Sequence, residues 1–462
     1  MRIRTTLPSL GFLLLAPAIA FGYGDRVATQ DAEATARGNA FTATADDPAA
    51  IYYNPAGLMQ MDGFNVEVGG YGIWIDEGYK PLHGQVDGHD STAHEPFQGV
   101  PQFFASYHPA NEPFSFGFGA YCPFGLKTEW PDNFNARSSG LDASLDFVSF
   151  TPTMAVQITR SLSLGLGVSA NYENAELRQG LTSEPGDYFQ IKGDGFSVGG
   201  DAGLMWKPTE RQSIGITYHS PVSATLAGHT SGGFNSTEIN EAKAGNASIA
   251  AAKAQLDAGI AQINALPYPE SVKQGLIAKA QAQYQAGLAA AGVTPNTVFP
   301  TGIASEASSG ALHFPQYLTV GYSFRPTPDW NIEADVDWTD WDSLNDLNIN
   351  QSSGTVVKVP FNWTDSFLYE VGATHTIGGY RLSAGYIYSS CSTTSAYFNP
   401  VAPDSARHVV SVGVGRTFGK CSVDLAYELS IGVNRTIVND TSADGRYSFL
   451  ANAVSLSLGY HF

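Results

Sequence analysis

The sequence predicts an all-β protein: a transmembrane β-barrel of about 14 antiparallel strands with an N-terminal lumenal hatch and a helical hairpin in a long outer loop. Three observations carry the prediction. Apolar residues alternate with small or charged ones at period two. Connections between the alternating segments are short and long in turn. The chain ends on an amphipathic segment whose last residue, Phe462, is aromatic.

The amino terminus comes first in the chain and sets the compartment. Arg2 and Arg4 precede an apolar run from Leu10 to Ala20, and Ala18-Ile19-Ala20 is a small-x-small cleavage site. That layout predicts a cleaved secretory signal peptide over 1–20. Removing Arg2 and Arg4 takes the formal net charge from -19 to -21, which leaves no electrostatic basis for binding nucleic acid or anionic lipid. The mature chain has no apolar stretch of about 20 residues, the length of a membrane helix. Its 22 Tyr, 26 Phe and 49 Gly suit an all-β chain but do not separate a membrane barrel from a soluble one. Cys122, Cys391 and Cys421 are odd in number and too few for a disulfide framework. They read as scattered small apolar residues, and Cys122–Cys391 is the pair that a bridge would join.

Alternation separates the two kinds of barrel. From Ser161 to Glu173, Leu162, Leu164, Leu166, Val168, Ala170 and Tyr172 share one face, while Ser163, Gly165, Gly167, Ser169, Asn171 and Glu173 share the other. From Trp330, Ile332, Ala334, Val336 and Trp338 point one way and Glu333, Asp335 and Asp337 the other. Carboxylates at every second position fit a wet lumen and do not fit a dry sandwich core.

Segments of this kind begin near Gly63, Gln98, Pro113, Ala143, Ser161, Asp194, Arg211, Gly310, Pro328, Asn362, Gly379, Ala406, Lys420 and Arg446. The joins at Pro109–Glu112, Arg160, Pro208–Glu210, Pro326–Thr327, Gly378 and Gly419 are tight. Those between them are long: Asp76–Phe97, Phe124–Asp142, His229–Ser309 and Leu344–Phe361. Short periplasmic turns and long outer loops alternate in this way in outer-membrane barrels. In the last segment Val454, Leu456, Leu458, Tyr460 and Phe462 alternate with Ala453, Ser455, Ser457, Gly459 and His461. These patterns predict a multi-pass barrel of the bacterial outer membrane over 63–462, acting as a monomer.

Two segments are not barrel. Residues 21–62 carry the turn clusters DDPAA and NPAG, and about 40 such residues make no core of their own, so they are expected as a lumenal plug. Residues 237–291 show two helical stripes: Ile249, Leu256, Ile260 and Ile263, then Val272, Leu276, Ala280, Tyr284 and Leu288, with Pro267 and Pro269 between them. The stripes either form a capture groove or pack one helix on the other.

The stretch Ala36 to Gly63, ARGNAFTATADDPAAIYYNPAGLMQMDG, resembles the plug of the FadL family, outer-membrane transporters of long-chain fatty acids and, in some members, aromatic hydrocarbons. Gly38, Ala40, Asp46-Asp47 and above all Asn54-Pro55-Ala56 carry the likeness. Tyr121-Cys122-Pro123-Phe124-Gly125-Leu126 is a second match, and Pro403-Asp404 followed by Arg407 a third. The resemblance implies an N-terminal hatch and an inward kink in strand three that opens a hole in the wall. Substrate would be captured by outer loops, enter a lumenal pocket and leave sideways into the membrane. The long hairpin and the stretch Glu173–Gln179 depart from the family pattern, so specificity does not carry over.

Physical chemistry favours such a route, because a hydrophobic molecule loses about 0.8 kcal/mol per methylene on return to water. An opening needs broken strand pairing; Pro123 lacks an amide donor and Gly125 tolerates unusual backbone angles. The plain alternative is that Pro123 ends its strand at the outer rim. Asn54-Pro55-Ala56 also reads as an Asx-type turn that seats the plug. Arg407 is the candidate partner of a ligand carboxylate, or else it neutralises lumenal acids such as Glu370 or Asp424.

Other motifs are set aside. Gly195-Phe196-Ser197-Val198-Gly199 matches a hydrolase nucleophile pattern but lies within a strand. Gly165-Leu166-Gly167-Val168-Ser169-Ala170 lies within the clearest alternating strand and no helix follows it. His83, His89 and His94 with Asp87, Asp90 and Glu95 fit no standard metal spacing. The reading is therefore no enzyme, no cofactor and no metal, but passive uptake of hydrophobic small molecules, fatty acids ahead of aromatic hydrocarbons. A non-transporting adhesin or receptor barrel is the alternative from another class.

Overall fold

In the computed structural model residues 26–82, 88–94 and 97–462 are described; the expected signal peptide, the first hatch residues and His83, Asp87 and Glu95 lie outside them. Fourteen antiparallel strands form one closed barrel. In chain order they are β1 (Gly63–Lys80), β2 (Gln98–His108), β3 (Phe114–Tyr121 and Gly125–Glu129), β4 (Asp142–Thr159), β5 (Leu162–Gln179), β6 (Tyr188–Thr209) and β7 (Gln212–His219 and Val222–Gly233). Then come β8 (Ile303–Phe314 and Tyr317–Phe324), β9 (Trp330–Thr339 and Asp346–Gln351), β10 (Ser366–Ile377), β11 (Tyr380–Ser389), β12 (Arg407–Phe418), β13 (Cys421–Gly432) and β14 (Gly445–His461). The barrel closes where β1 pairs with β14, from Asn65 opposite His461 to Lys80 opposite Arg446, which leaves no open edge along that seam.

The period-two pattern is realised as expected. On β5, Leu164, Leu166 and Val168 are exposed on the outer wall, while Ser163, Ser169, Asn171 and Glu173 are buried in the lumen. On β9, Trp330, Ile332 and Val336 face outward, and Glu333, Asp335 and Asp337 are buried. The tight turns fall where the sequence places them, at one end of the barrel.

Several strand starts differ. β6 begins at Tyr188, not near Asp194, and β8 at Ile303, not near Gly310. Both extend past the apolar band, where water meets both faces and the alternation that marks a membrane strand lapses. β10 begins at Ser366 rather than Asn362, because the segment before it buries Trp363 against Trp341 of the break in β9, 5.1 Å ring to ring. β7 and β8 are interrupted at matching heights, with Val222 opposite Phe314 and His219 opposite Tyr317. Pro221 and Pro315 fall in those breaks and have no amide to give to the ladder.

The lumen is filled by the hatch. It contains two short helices, α1 (Ala32–Ala36) and α2 (Ala50–Tyr53), and a 3-10 turn over Pro55–Gln60. Phe41, Ile51, Leu58 and Ala34 are fully buried in it. Outside, α3 (Ser236–Ala265) and α4 (Glu270–Ala290) form the expected hairpin. Asn235 and Glu238 cap α3 reciprocally, through Glu238 N to Asn235 Oδ1 at 2.9 Å and Asn235 N to Glu238 Oε2 at 2.8 Å. Ile249, Leu256, Ile260, Ile263 and Tyr284 are half-buried and Leu288 is buried, so most of each stripe packs helix on helix, whereas Val272 and Leu276 stay exposed. No described helix is long and apolar enough to cross a membrane. All three cysteines are free thiols, so Cys122 and Cys391 are not bridged.

Leu166 is 67% exposed on the outer wall of β5. Leu166→Arg is expected to destabilise the barrel in lipid vesicles by roughly 2–4 kcal/mol if it lies near the midplane. Denaturant titration of the reconstituted protein reads this, and an unchanged midpoint would contradict a lipid-facing β5.

Candidate functional site

A plug of turns brings many backbone amides into the lumen, and a buried amide requires an acceptor. The inward carboxylates of β9 supply them. Asp335 Oδ2 accepts from Phe41 N at 3.1 Å and Thr42 N at 3.0 Å. Glu333 Oε1 accepts from Ala43 N at 2.6 Å and Thr44 N at 3.3 Å, and Glu333 Oε2 meets Arg37 Nη2 at 3.3 Å. Asp337 Oδ2 accepts from Arg26 Nη2 at 2.6 Å, and the Arg26 guanidinium lies 3.8 Å above the Tyr317 ring. The three acids that identify a wet lumen are thus the seats of the hatch.

Asn54-Pro55-Ala56 forms an Asx-type turn, with Asn54 Oδ1 accepting from Ala56 N at 3.1 Å. The Asn54 amide group also donates to Thr42 O at 2.8 Å and across to Leu204 O on β6 at 3.1 Å. Gly165 and Gly203 are opposite one another on β5 and β6, and the tripeptide rests on them. A Cβ on Gly165 would come within 2.3 Å of Pro55 C, and one on Gly203 within 2.3 Å of Asn54 Oδ1. The turn therefore sits on β5 and β6; it is Ile51 and Leu58 that press against β3, at Gly117. Asp46 pairs with Arg325 at 3.2 Å, and Asp47 Oδ1 accepts from Ala49 N at 2.9 Å.

β3 is broken between Tyr121 and Gly125. Tyr121 is the last residue of the lower piece to pair with β4, at Ser149, and pairing resumes with Gly125 opposite Asp146. On the other side, pairing with β2 stops at Phe103 and Ala120. The freed backbone turns inward and meets the start of the hatch. Val27 N donates to Pro123 O at 2.8 Å, Gln30 Nε2 donates to Cys122 O at 2.8 Å, and Arg26 bridges to Phe124. The Phe124 ring lies 5.1 Å from Phe147 and Phe314 and 6.2 Å from Trp341. Tyr121 stacks on Phe104 at 5.8 Å and accepts from Thr151 Oγ1 at 3.0 Å.

Two cavities lie beyond this break. One is walled by Leu226, Leu312, Phe314, Trp341, Leu344 and Trp363, with Lys192 on its wall paired to Glu176 at 3.2 Å. The other touches the same Trp341 and has a mixed lining, with Arg26, Arg407, Asp404 and Glu428 beside Leu368 and Ile387. Arg407 is buried, pairs with Asp404 at 2.9 Å and lies 4.7 Å from the Phe449 ring; its ion-pair partner is Asp404 rather than Glu370 or Asp424.

Sequence profiles agree with this architecture. The profile described as outer membrane protein transport protein (OMPP1/FadL/TodX) matches residues 13–294 and 264–462. The chain belongs to the FadL family. Among curated relatives of this FadL-family protein, the long-chain fatty acid transport protein of Escherichia coli is 22% identical over 91% of this chain and 89% of its own. Outer membrane protein P1 of Haemophilus influenzae is 23% identical over 91% of each chain. Its fold matches that of a Pseudomonas aeruginosa FadL homologue with a TM-score of 0.73, at 22% identity over 95% of this chain and 100% of that one. The Pseudomonas putida toluene transporter TodX matches with a TM-score of 0.66, at 16% identity over 96% and 100%. Members are outer-membrane transporters of hydrophobic compounds, and the outer membrane is where this FadL-family barrel resides.

Sequence reasoning singled out the hatch turn, the β3 break and Arg407; the structure sets Phe124 of the break against Phe314 and Trp341 of the apolar cavity, places Arg407 on the neighbouring cavity, and seats Asn54-Pro55-Ala56 on β5 and β6. It missed Arg26, Val27 and Gln30, which carry no motif and meet β3 from about a hundred residues away in the chain. The β9 acids were read as lumenal without their partners. Asp335→Ala leaves the amides of Phe41 and Thr42 without an acceptor, at about 1–3 kcal/mol each. Amide exchange over 41–44 should accelerate at least about tenfold while barrel strands stay protected; mass-spectrometric exchange on the folded barrel shows whether it does.

Proposed function

We propose that this barrel takes up hydrophobic small molecules passively, by capture at the outer loops, transfer into the apolar cavity and lateral exit through the break in β3, and that it works as a monomer. One observation carries the reading most: the apolar cavity ends on Phe314 and Trp341, and both pack against Phe124 of the break. A ligand there needs no return to water to reach lipid, which spares about 0.8 kcal/mol per methylene. Replacing Pro123-Phe124-Gly125 with Val-Thr-Val is expected to abolish uptake of labelled substrate by cells while leaving surface levels of folded barrel unchanged. Normal uptake by that variant would remove lateral exit.

Long-chain fatty acids remain the first substrate class. Trp341 is shared by the apolar cavity and the arginine-lined one, so an amphiphile would place its chain in the first and its carboxylate toward Arg407 in the second. An uncharged aromatic hydrocarbon is the second reading, favoured by the prior pairing of Arg407 with Asp404 and of Arg26 with Asp337. Arg407→Ala separates them. For a fatty-acid carrier, binding of a labelled long-chain fatty acid to the purified barrel should weaken about tenfold while toluene binding holds. Equal effects on both ligands would move the assignment to hydrocarbons, and no saturable binding of either would favour a surface-recognition role.

A further inference from the structure

Three carboxylates meet where the hatch is seated against the seam that closes the barrel. Asp31 precedes α1, Asp47 precedes α2, and Glu67 points inward from β1. One oxygen of each lies within 4.8 Å of the others. Asp31 and Glu67 are buried, where like charges repel with little screening. The neighbouring cations are committed elsewhere: Arg381 to Glu33 at 3.0 Å and Asp424 at 2.7 Å, Arg325 to Asp46 at 3.2 Å, and Arg37 to Glu333 at 3.3 Å. Among the described residues no ion pair includes Asp31, Asp47 or Glu67.

The wall beside them is cut back. Gly69 is the next inward position after Glu67 on β1, and a Cβ there would lie 3.0 Å from Ser457 Oγ and 3.1 Å from Gln102 Oε1. Ser457 Oγ donates to Asp31 Oδ1 at 2.8 Å. Gln102 is 4% exposed; its Nε2 donates to Thr29 O at 3.3 Å, and its Oε1 is buried without a partner. An acceptor with no donor thus faces the same recess as three acids with no counter-charge. The far oxygens are already oriented, since Asp31 Oδ2 accepts from Ala34 N at 2.8 Å and Asp47 Oδ1 from Ala49 N at 2.9 Å.

We propose that this recess binds a hard divalent cation, calcium, through Asp31, Asp47 and Glu67 with Gln102 Oε1 as a neutral fourth oxygen. The donor set is all oxygen, which excludes the softer metals that seek nitrogen or sulfur. The ligands come from two hatch turns and the wall, an irregular set that calcium accepts more readily than the rigidly octahedral magnesium. The ion ties both turns to β1 and so clamps the hatch at the β1–β14 seam.

Titration calorimetry on the full barrel, refolded in defined detergent without lipopolysaccharide and stripped with EDTA, tests this with calcium chloride against magnesium chloride at pH 7. One saturable calcium site per chain is expected, tighter than for magnesium and at least tenfold weaker in both Glu67→Gln and Asp47→Asn. Gly69→Ala, whose Cβ would come 3.1 Å from Gln102 Oε1 and so crowd the neutral fourth oxygen, should also weaken it. Heat-modifiable gel mobility confirms that each variant is folded, so loss of the site is not mistaken for loss of the barrel. Absence of saturable binding in the folded parent, or equal affinity in the parent and both ligand variants, overturns the proposal. Unfolding that responds to pH alone and not to calcium does the same, and assigns the cluster to shared protons.

Discussion

The structure depends on how a closed barrel satisfies the backbone of a segment with little regular structure of its own. The hatch enters the lumen as turns, and its amides from Phe41 to Thr44 would be orphaned there without fixed acceptors. Carboxylates on the wall offer two acceptor oxygens each, and β9 presents Glu333, Asp335 and Asp337 on successive inward positions. Glu333 and Asp335 accept from those amides, and Asp337 and Glu333 pair with Arg26 and Arg37. The result is a plug held by directional bonds rather than by shape alone.

The same economy explains the broken strand. Interrupting β3 leaves the Cys122 and Pro123 carbonyls without a ladder, and in lipid such groups are very costly. Here they turn inward and are paired by Gln30 and Val27 of the hatch. Plug and wall are therefore complementary defects: each supplies the hydrogen bonds the other lacks. The hatch start rests under Phe124 and Tyr317, beside the apolar chamber, so the plug and the break share one neighbourhood.

Acidity concentrates in this interior, and its balance is local. The β9 acids find arginines or rows of amides, whereas no ion pair among the described residues includes Asp31, Asp47 or Glu67. The contrast between the β9 acids and this cluster is what distinguishes a seat for peptide from a seat for an ion.

The barrel was legible in the sequence because side chains on a strand between lipid and lumen must alternate at period two, and that period is local. Leu162 to Glu173 and Trp330 to Trp338 show it directly, and the tight turns give the connectivity. Helical stripes and two prolines marked the outer hairpin for the same reason. The recognisable turns Asn54-Pro55-Ala56 and Pro123-Phe124-Gly125 were visible as segments, but their neighbours were not. Asn54 meets Leu204, Val27 meets Pro123 and Asp31 meets Glu67 because a closed sheet places distant residues on one wall, and no local period records such pairs. The sequence by itself determined which residues face lipid and which face the lumen. Only the tertiary structure decided which lumenal group holds which part of the hatch, because that choice depends on barrel closure and on where each buried donor finds its acceptor.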